Sequence, residues 1–330
     1  MRKNLQRNSW RWMLALTLLT ASCAPVSGPK ISLDEPKVDF SALWIDPADL
    51  GSRNFFDGPG GQALAPAESA RYELLAVDTK GYSGGYDVRD RQGVKWSVKV
   101  GKEAQPEVAA SRILWGLGFH QPPIYLLRDW TLDGASVDPA SLRLARFRRD
   151  SEEAKVVGDW SWYENQFVGS QPFQGLVVVN MMLNNWDWKT SNNKIYDIPN
   201  PQSGPTRVYV VRDLGASLGK TSFPPFLRWT PMRGMGQGSR NDVDDFEQQG
   251  FIKEVDGQQV RFHYKGIHQK VVDTITVEHV VWASRLMSRV SDEQWRDAFR
   301  AGGFTPGEQQ RYVEKLKSKI REGMALAGPA

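Results

Sequence analysis

Cysteine and histidine are scarce in this chain. One cysteine, Cys23, and four histidines stand among 330 residues. A lone cysteine can form no internal disulfide. His120, His263, His268 and His279 show neither an H-E-x-x-H spacing nor clustering, so a zinc site is not expected. Long apolar runs near the N-terminus are also missing: Trp12 to Leu19 (WMLALTLL) is too short to span a bilayer. Acidic residues are absent before Cys23, where Arg2, Lys3, Arg7 and Arg11 all lie. Removing those four from the 42 basic residues leaves 38, matching the 38 acids, so the formal charge of +4 belongs to the N-terminal segment. A neutral remainder lacks the electrostatic footprint of a nucleic-acid binder, and no nucleic-acid partner is expected.

A basic n-region, a short apolar stretch and Thr20-Ala21-Ser22 before Cys23 have the form of a targeting segment. It is similar to a bacterial lipoprotein signal over residues 1–22, with Cys23 lipidated as the first mature residue. Thr20 stands where such signals usually have Leu, so a plain signal peptide or an uncleaved anchor stays open. Each version places the rest of the chain outside the cytoplasm, and the lipidated one anchors it to the bacterial cell envelope, on the periplasmic side or cell surface. Residues 23–70 are rich in Pro, Gly, Ser and Asp with scattered apolar anchors such as Phe40, Leu43, Trp44, Phe55 and Phe56, and read as a tether and irregular extension.

Thirteen tryptophans and 40% hydrophobic residues indicate a real core. Tyr72–Val77, Tyr86–Val88 and Val94–Val100, joined by Gly-containing turns, predict an antiparallel meander. Pro106-Glu107 opens a predicted helix reaching about Leu117, which Pro122-Pro123 forbids from continuing. Ile124–Leu127 and Ser141–Phe147 predict further strands. The run QGLVVVNMMLNNW predicts a buried helix that delivers the chain into Asp187. Asn193–Tyr196 and Arg207–Val211 predict a hairpin, and helices dominate from about Val271, with a charged terminal helix after Pro306-Gly307-Glu308. The organisation expected is a β-rich region over 71–165 and a mainly helical region over 166–330, with no internal repeat.

Asp187-Trp188-Lys189-Thr190-Ser191-Asn192 spells D-x-K-x-x-N, and Asp213-Leu214-Gly215 follows the second hairpin strand. Phosphoryl transfer needs a strand lysine for phosphates, a helix carboxylate to steady it, an acid to orient the acceptor hydroxyl, and an amide with a second acid for metal ions. Lys99, with apolar Val98 and Val100 beside it, suits the first. Glu107 suits the second, with Glu103 the weaker candidate. Asp187, Asn192 and Asp213 supply the rest.

Together these motifs resemble the atypical end of the protein-kinase-like superfamily, which includes HipA-type bacterial kinases, phosphatidylinositol kinases and secretory-pathway kinases. The resemblance covers about residues 71–220. It implies an α+β, two-lobed kinase-like fold, with a small antiparallel β lobe bearing one helix and a larger helical lobe. It also implies Asp187 as catalytic acid/base and Lys189 as a stabiliser of the transferring group. Asn192 and Asp213 would be ligands for Mg²⁺ or Mn²⁺, and Lys99, steadied by Glu107, would hold the phosphates of ATP or another nucleotide. Gly81, Gly84 and Gly85 loosely stand in for a phosphate lid, and Trp186 occupies the place where protein kinases usually carry Arg. The acceptor would be a protein, sugar or lipid hydroxyl. A non-catalytic kinase-fold scaffold in the envelope is the alternative, and nucleotidyl transfer a third option.

Two further strings carry less. Asn241-Asp242-Val243-Asp244-Asp245 lacks the glycine and glutamate of a calcium loop and reads as an acidic turn. Gly215-Ala-Ser-Leu-Gly219 has the form of a hydrolase elbow, but no strand–turn–helix context follows it.

Overall fold

The computed structural model describes residues 38–79, 83–134, 144–150, 154–199, 206–221 and 238–328. The targeting segment with Cys23, and Gly81 of the glycine turn, lie outside the described residues. Among the described residues no helix is long and apolar enough to cross a membrane. Residues 38–330 make one compact unit.

Its first layer is a six-stranded sheet. β1 (Ala70–Asp78), β2 (Gly85–Arg89) and β3 (Lys95–Lys99) form the expected antiparallel meander. α1 (Ala104–Gly116) follows, starting two residues earlier than predicted, and then β4 (Ile124–Leu127), β5 (Trp130–Asp133) and β6 (Ala145–Asp150). The strand order is β4-β6-β3-β2-β1-β5, antiparallel throughout except where β5 adds to β1 in parallel. Period-two alternation divides the chemistry of the sheet between its faces. Tyr72, Val88, Trp96, Val98 and Phe147 point to an aromatic core, with Tyr72 and Trp130 packed on Phe147 at 5.0 and 5.1 Å. The intervening Ser97, Lys99, Arg146 and Arg148 share the opposite face, paired Ser97 to Arg148 and Lys99 to Arg146.

The larger lobe is built on α2 (Gln171–Met182), in which every residue from Phe173 to Met182 is buried. A helix apolar on all sides belongs in the middle of a core. Ser170 caps it, accepting from Phe173 N, with Pro172 in the first turn. α5 (Val277–Ser288), α6 (Asp292–Ala301) and α7 (Pro306–Ala325) complete that core. α7 opens with a capping box between Thr305 and Glu308, which explains why Pro306-Gly307-Glu308 starts the terminal helix. Buried Lys319 of α7 donates to Met182 O at 2.7 Å and Asn184 Oδ1 at 2.8 Å. The Lys319 side chain therefore satisfies one carbonyl at the C-terminus of α2, just before the Asp187 segment.

β7 (Lys155–Asp159), β8 (Asn193–Ile198) and β9 (Thr206–Val211) form a three-stranded antiparallel sheet, so the predicted hairpin carries an extra strand. A second hairpin, β10 (Ile252–Asp256) with β11 (Gln259–Phe262), was not foreseen. The acidic string at 241–245 is a helix start: Asp242 accepts from Asp245 N and caps α3 (Val243–Gln248). The short α4 (Gln269–Val272) precedes α5. Of the extension, residues 38–70 pack on the fold. Leu43, Leu50 and Phe55 join the main core, and buried Arg112 of α1 donates to Phe56 O at 3.2 Å and Ile124 O at 2.7 Å. This is the α+β, two-lobed layout expected of a kinase-like fold, with α1 touching the sheet, α6 and residues 214–216.

Candidate active site

β3 delivers Lys99 to the face opposite the aromatic core, beside the N-terminus of α1. Glu103 and Glu107, four residues apart, share one side of that helix start and both reach the ammonium. Lys99 Nζ lies 2.9 Å from Glu107 Oε2 and 3.5 Å from Glu103 Oε2, and it also contacts Asp213 Oδ1. The expected pair is therefore a triad around one lysine, with Glu103 sharing the task given to Glu107. Burial alone would discharge Lys99, but Glu107 and Asp213, with a smaller push from Glu103 and against Arg146, hold it above the usual lysine value.

Glu107 is 3% exposed and sits among cations. Its Oε1 lies 3.1 Å from Arg146 Nε and 4.0 Å from Arg148 Nη1. Burial raises its pKa, but Arg146, Lys99 and Arg148 outweigh it and bring the carboxyl down to about 2. Glu103 takes a second partner, Arg240, whose guanidinium lies 4.6 Å over the Trp186 ring. Ser83 Oγ donates to Glu103 Oε2 at 2.9 Å and ties the glycine turn to the same network. Gly84 O accepts from Val100 N at 3.0 Å, and Gly85 stands opposite Lys99 on the neighbouring strand.

The D-x-K-x-x-N segment forms a second group. The Asp187 carboxylate is paired with Lys189 Nζ, at 2.7 Å from Oδ1 and 2.9 Å from Oδ2. Asn192 Nδ2 donates to Asp187 O at 2.6 Å, and Asn192 O accepts from Arg212 N at 3.1 Å. Asn192 thus links the Asp187 loop to the residue preceding Asp213, and so joins the two groups. Asp213 has φ 58° and ψ 50°, a left-handed conformation that Asp tolerates better than most residues. Two residues on, a Cβ on Gly215 would lie 2.5 Å from Glu103 Cβ and 2.9 Å from Glu103 O. Glycine is required there for α1 to sit against the D-L-G turn.

No family model matches the chain, and no curated protein matches it. Among solved structures, it is similar to the proinflammatory kinase CtkA of Helicobacter pylori, at 11% identity over 78% of this chain and 98% of that one, with a TM-score of 0.47. It is also similar to the Rio2 kinase of Chaetomium thermophilum, crystallised as a complex with ADP/Mg²⁺ and phosphoaspartate, at 13% identity over 76% and 71% with a TM-score of 0.27. A Golgi casein kinase covers 89% of this chain and 88% of its own at 10% identity and a TM-score of 0.34.

Between the sheet and the β7–β9 layer lies a cavity of about 980 Å³, its walls including Leu75, Ser97, Arg148, Val156, Ile198 and Arg212. That volume suits a nucleotide-sized molecule. Among the described residues no three His, Cys, Asp or Glu side chains converge into a metal cage. Two single oxygen donors remain: the Asp213 side chain beside Lys99 is 43% exposed, and Asn192, having turned its Nδ2 to Asp187 O, keeps its Oδ1 free of hydrogen bonds among the described residues. One carboxylate and one amide oxygen are hard donors, and they fit a Mg²⁺-type ion that takes its other ligands from phosphate and water.

Sequence reasoning did not single out Arg146, Arg148, Arg212 or Arg240. The first two were findable, because A-R-F-R alternates in register with Lys99 once β6 is set beside β3. Arg240 carried no local signal. Ser217 is fully buried and donates to Leu214 O at 2.5 Å, which leaves no exposed nucleophile in the elbow-like string.

Proposed function

We propose that this chain is a phosphotransferase that uses ATP or another nucleotide with Mg²⁺ or Mn²⁺ to phosphorylate a hydroxyl acceptor on a protein, sugar or lipid. It acts outside the cytoplasm, anchored to the bacterial cell envelope through a lipidated Cys23. One observation supports the chemistry above the rest: Lys99 gathers Glu107 and Asp213 while Asn192 fastens the Asp187 loop to the approach of Asp213.

Asp187 orients the acceptor hydroxyl and takes its proton as the new O–P bond forms and the bond from the γ phosphorus to the bridging oxygen breaks, with the nucleoside diphosphate as leaving group. Lys189, ion-paired with Asp187, stabilises negative charge on the phosphoryl group in transit. Lys99 holds phosphate oxygens, kept charged and fixed by the carboxylates around it. Asn192 Oδ1 and the Asp213 carboxylate would hold the divalent ion, which when bound neutralises charge on the donor phosphates.

The test compares the full-length chain with Asp187→Ala, using ATP labelled at the γ or α phosphate, Mg²⁺ or Mn²⁺, and a panel of protein, sugar and lipid hydroxyls. The expected result is γ-label transfer that falls by a factor of about 10² to 10⁴ in the variant. Transfer that survives unchanged in Asp187→Ala refutes the assignment. Transfer of the α label would mean a nucleotidyl group is moved. A wild-type chain that transfers nothing would leave a binding scaffold on this fold.

A further inference from the structure

The cations around the site divide into two sets. Lys99, Arg146 and Arg240 are matched by Glu107, Glu103 and Asp213, three positive charges against three negative in one connected network. Arg148 and Arg212 stand outside that balance. Arg148 donates to Ser97 Oγ at 3.2 Å, and among the described residues its one carboxylate within 4.0 Å is Glu107, already shared by Lys99 and Arg146. Arg212 donates to the Tyr196 hydroxyl at 2.8 Å and, among the described residues, has no carboxylate within 4.0 Å.

Both guanidiniums line the inner end of the 980 Å³ cavity and the small niche behind it that is shared with Glu107 and Asp213. Burial, together with the like charges of Arg146 and Arg212, pushes Arg148 down to about 9, so its cationic form lacks adequate compensation. The rest of the lining mixes the exposed apolar side chains of Leu75, Val156 and Ile198 with the charged Asp87, Arg89, Lys95, Arg149, Asp150 and Lys155. Arg148 and Arg212 are thus the cations of this lining that also border the niche of Glu107 and Asp213.

Resting on the nucleotide-donor reading above, we infer that the polyphosphate chain of the donor, not its base, fills the inner end of the cleft, with phosphate oxygens on Arg148 and Arg212 and the nucleoside towards Leu75, Val156 and Ile198. Guanidinium groups present forked N–H donors that match phosphate geometry, and neither arginine has an acceptor to offer a base amino group. The Lys99 network is already neutral, so the first anion to enter is drawn to the arginines. Anion binding at this pole does not need a divalent ion.

Inorganic tripolyphosphate and adenosine, each titrated into the full-length chain in EDTA by calorimetry, separate the two ends. Tripolyphosphate is expected to bind at least tenfold more tightly than adenosine, and to weaken at least tenfold in Arg148→Gln and in Arg212→Gln. Arg212→Gln, at a partly exposed strand end, carries the test by itself if Arg148→Gln does not fold. Adenosine binding at least as tightly as tripolyphosphate, or tripolyphosphate affinity unchanged in the variants, overturns the inference. Label transfer by a chain that does not bind tripolyphosphate would end this inference and leave phosphotransfer standing. Tripolyphosphate binding without label transfer would do the reverse.

Discussion

Glu107→Gln removes one negative charge from the centre of the network and changes almost nothing else, since the two side chains are close in volume. Glu107 is 3% exposed and has Lys99 at 2.9 Å, Arg146 at 3.1 Å and Arg148 at 4.0 Å. Glutamine can accept from one of these cations, but its amide hydrogens then face another. Removing one partner from a buried ion pair costs about 3–5 kcal/mol, because the remaining charge stays desolvated and uncompensated. Here three cations lose a shared counter-ion, so the upper half of that range is expected. At about 2–4 °C per kcal/mol for a domain of this size class, the midpoint falls by roughly 10 °C or more.

The assay is thermal and urea unfolding at pH 7 followed by tryptophan fluorescence, with the urea slope checked for constancy so that its midpoint reports stability. Arg146→Met and the double variant complete a cycle. If the charge argument holds, Arg146→Met in the Glu107→Gln background costs less than in the wild type, because it then removes an uncompensated cation. A loss below about 1 kcal/mol in Glu107→Gln, or strict additivity in the cycle, would refute the reasoning. In that event Lys99 must be held charged by Asp213 and Glu103 alone.

Two further outcomes follow from the same geometry. The carboxyl of Glu107 sits at about 2 in the fold against an ordinary value of 4.5, so its contribution to stability is fully present above about 4.5 and is lost as the pH falls from there towards 2. Urea midpoints measured from pH 7 down to 3 should therefore drop more steeply for the wild type than for Glu107→Gln, and parallel curves would contradict the assignment. Gly215→Ala places a Cβ 2.5 Å from Glu103 Cβ and 2.9 Å from its carbonyl oxygen, and the helix backbone cannot yield cheaply. A stability loss of about 1–3 kcal/mol by urea unfolding is expected, with phosphoryl transfer falling by more than that loss accounts for; full activity in this variant would mean the D-L-G turn tolerates displacement from α1.

What could be read from the chain follows the range of the forces involved. The meander, α1, α2 and the β8–β9 hairpin are set by local alternation, helical stripes and turn residues, and each lies within a few residues of its predicted bounds. β5 and β7 were missed because each is four or five residues long and paired with strands distant in sequence. α3 reads in sequence as a turn because six residues behind an Asp cap look like any acidic loop. Among the site residues, Asp187, Lys189, Asn192 and Asp213 announce themselves by spacing. Glu103 and Glu107 both remained candidates from sequence, and only the start of α1 shows that they share the lysine.

Arg240 shows why the rest was hidden. Trp186 occupies the position before Asp187 where protein kinases usually carry an arginine, and sequence alone reads that as a lost cation. In the fold the cation arrives from elsewhere: Arg240 lies over the Trp186 ring and pairs with Glu103, while Trp186 Nε1 donates to Ser239 O at 2.9 Å. The indole is thus a platform with its N–H pinned and its face given to the guanidinium. Close approach of the two segments depends on Gly238, whose added Cβ would meet Lys220 O at 2.1 Å and the Trp186 ring at 2.9 Å. Without Arg240 the Lys99 network would hold three carboxylates and two cations. With it the charges cancel, and the surplus falls to Arg148 and Arg212 at the inner wall of the cleft. An arginine at position 186 would lie on the Asp187 segment itself. Supplied by residue 240 instead, it links that segment to the start of α1 through Trp186 and Glu103.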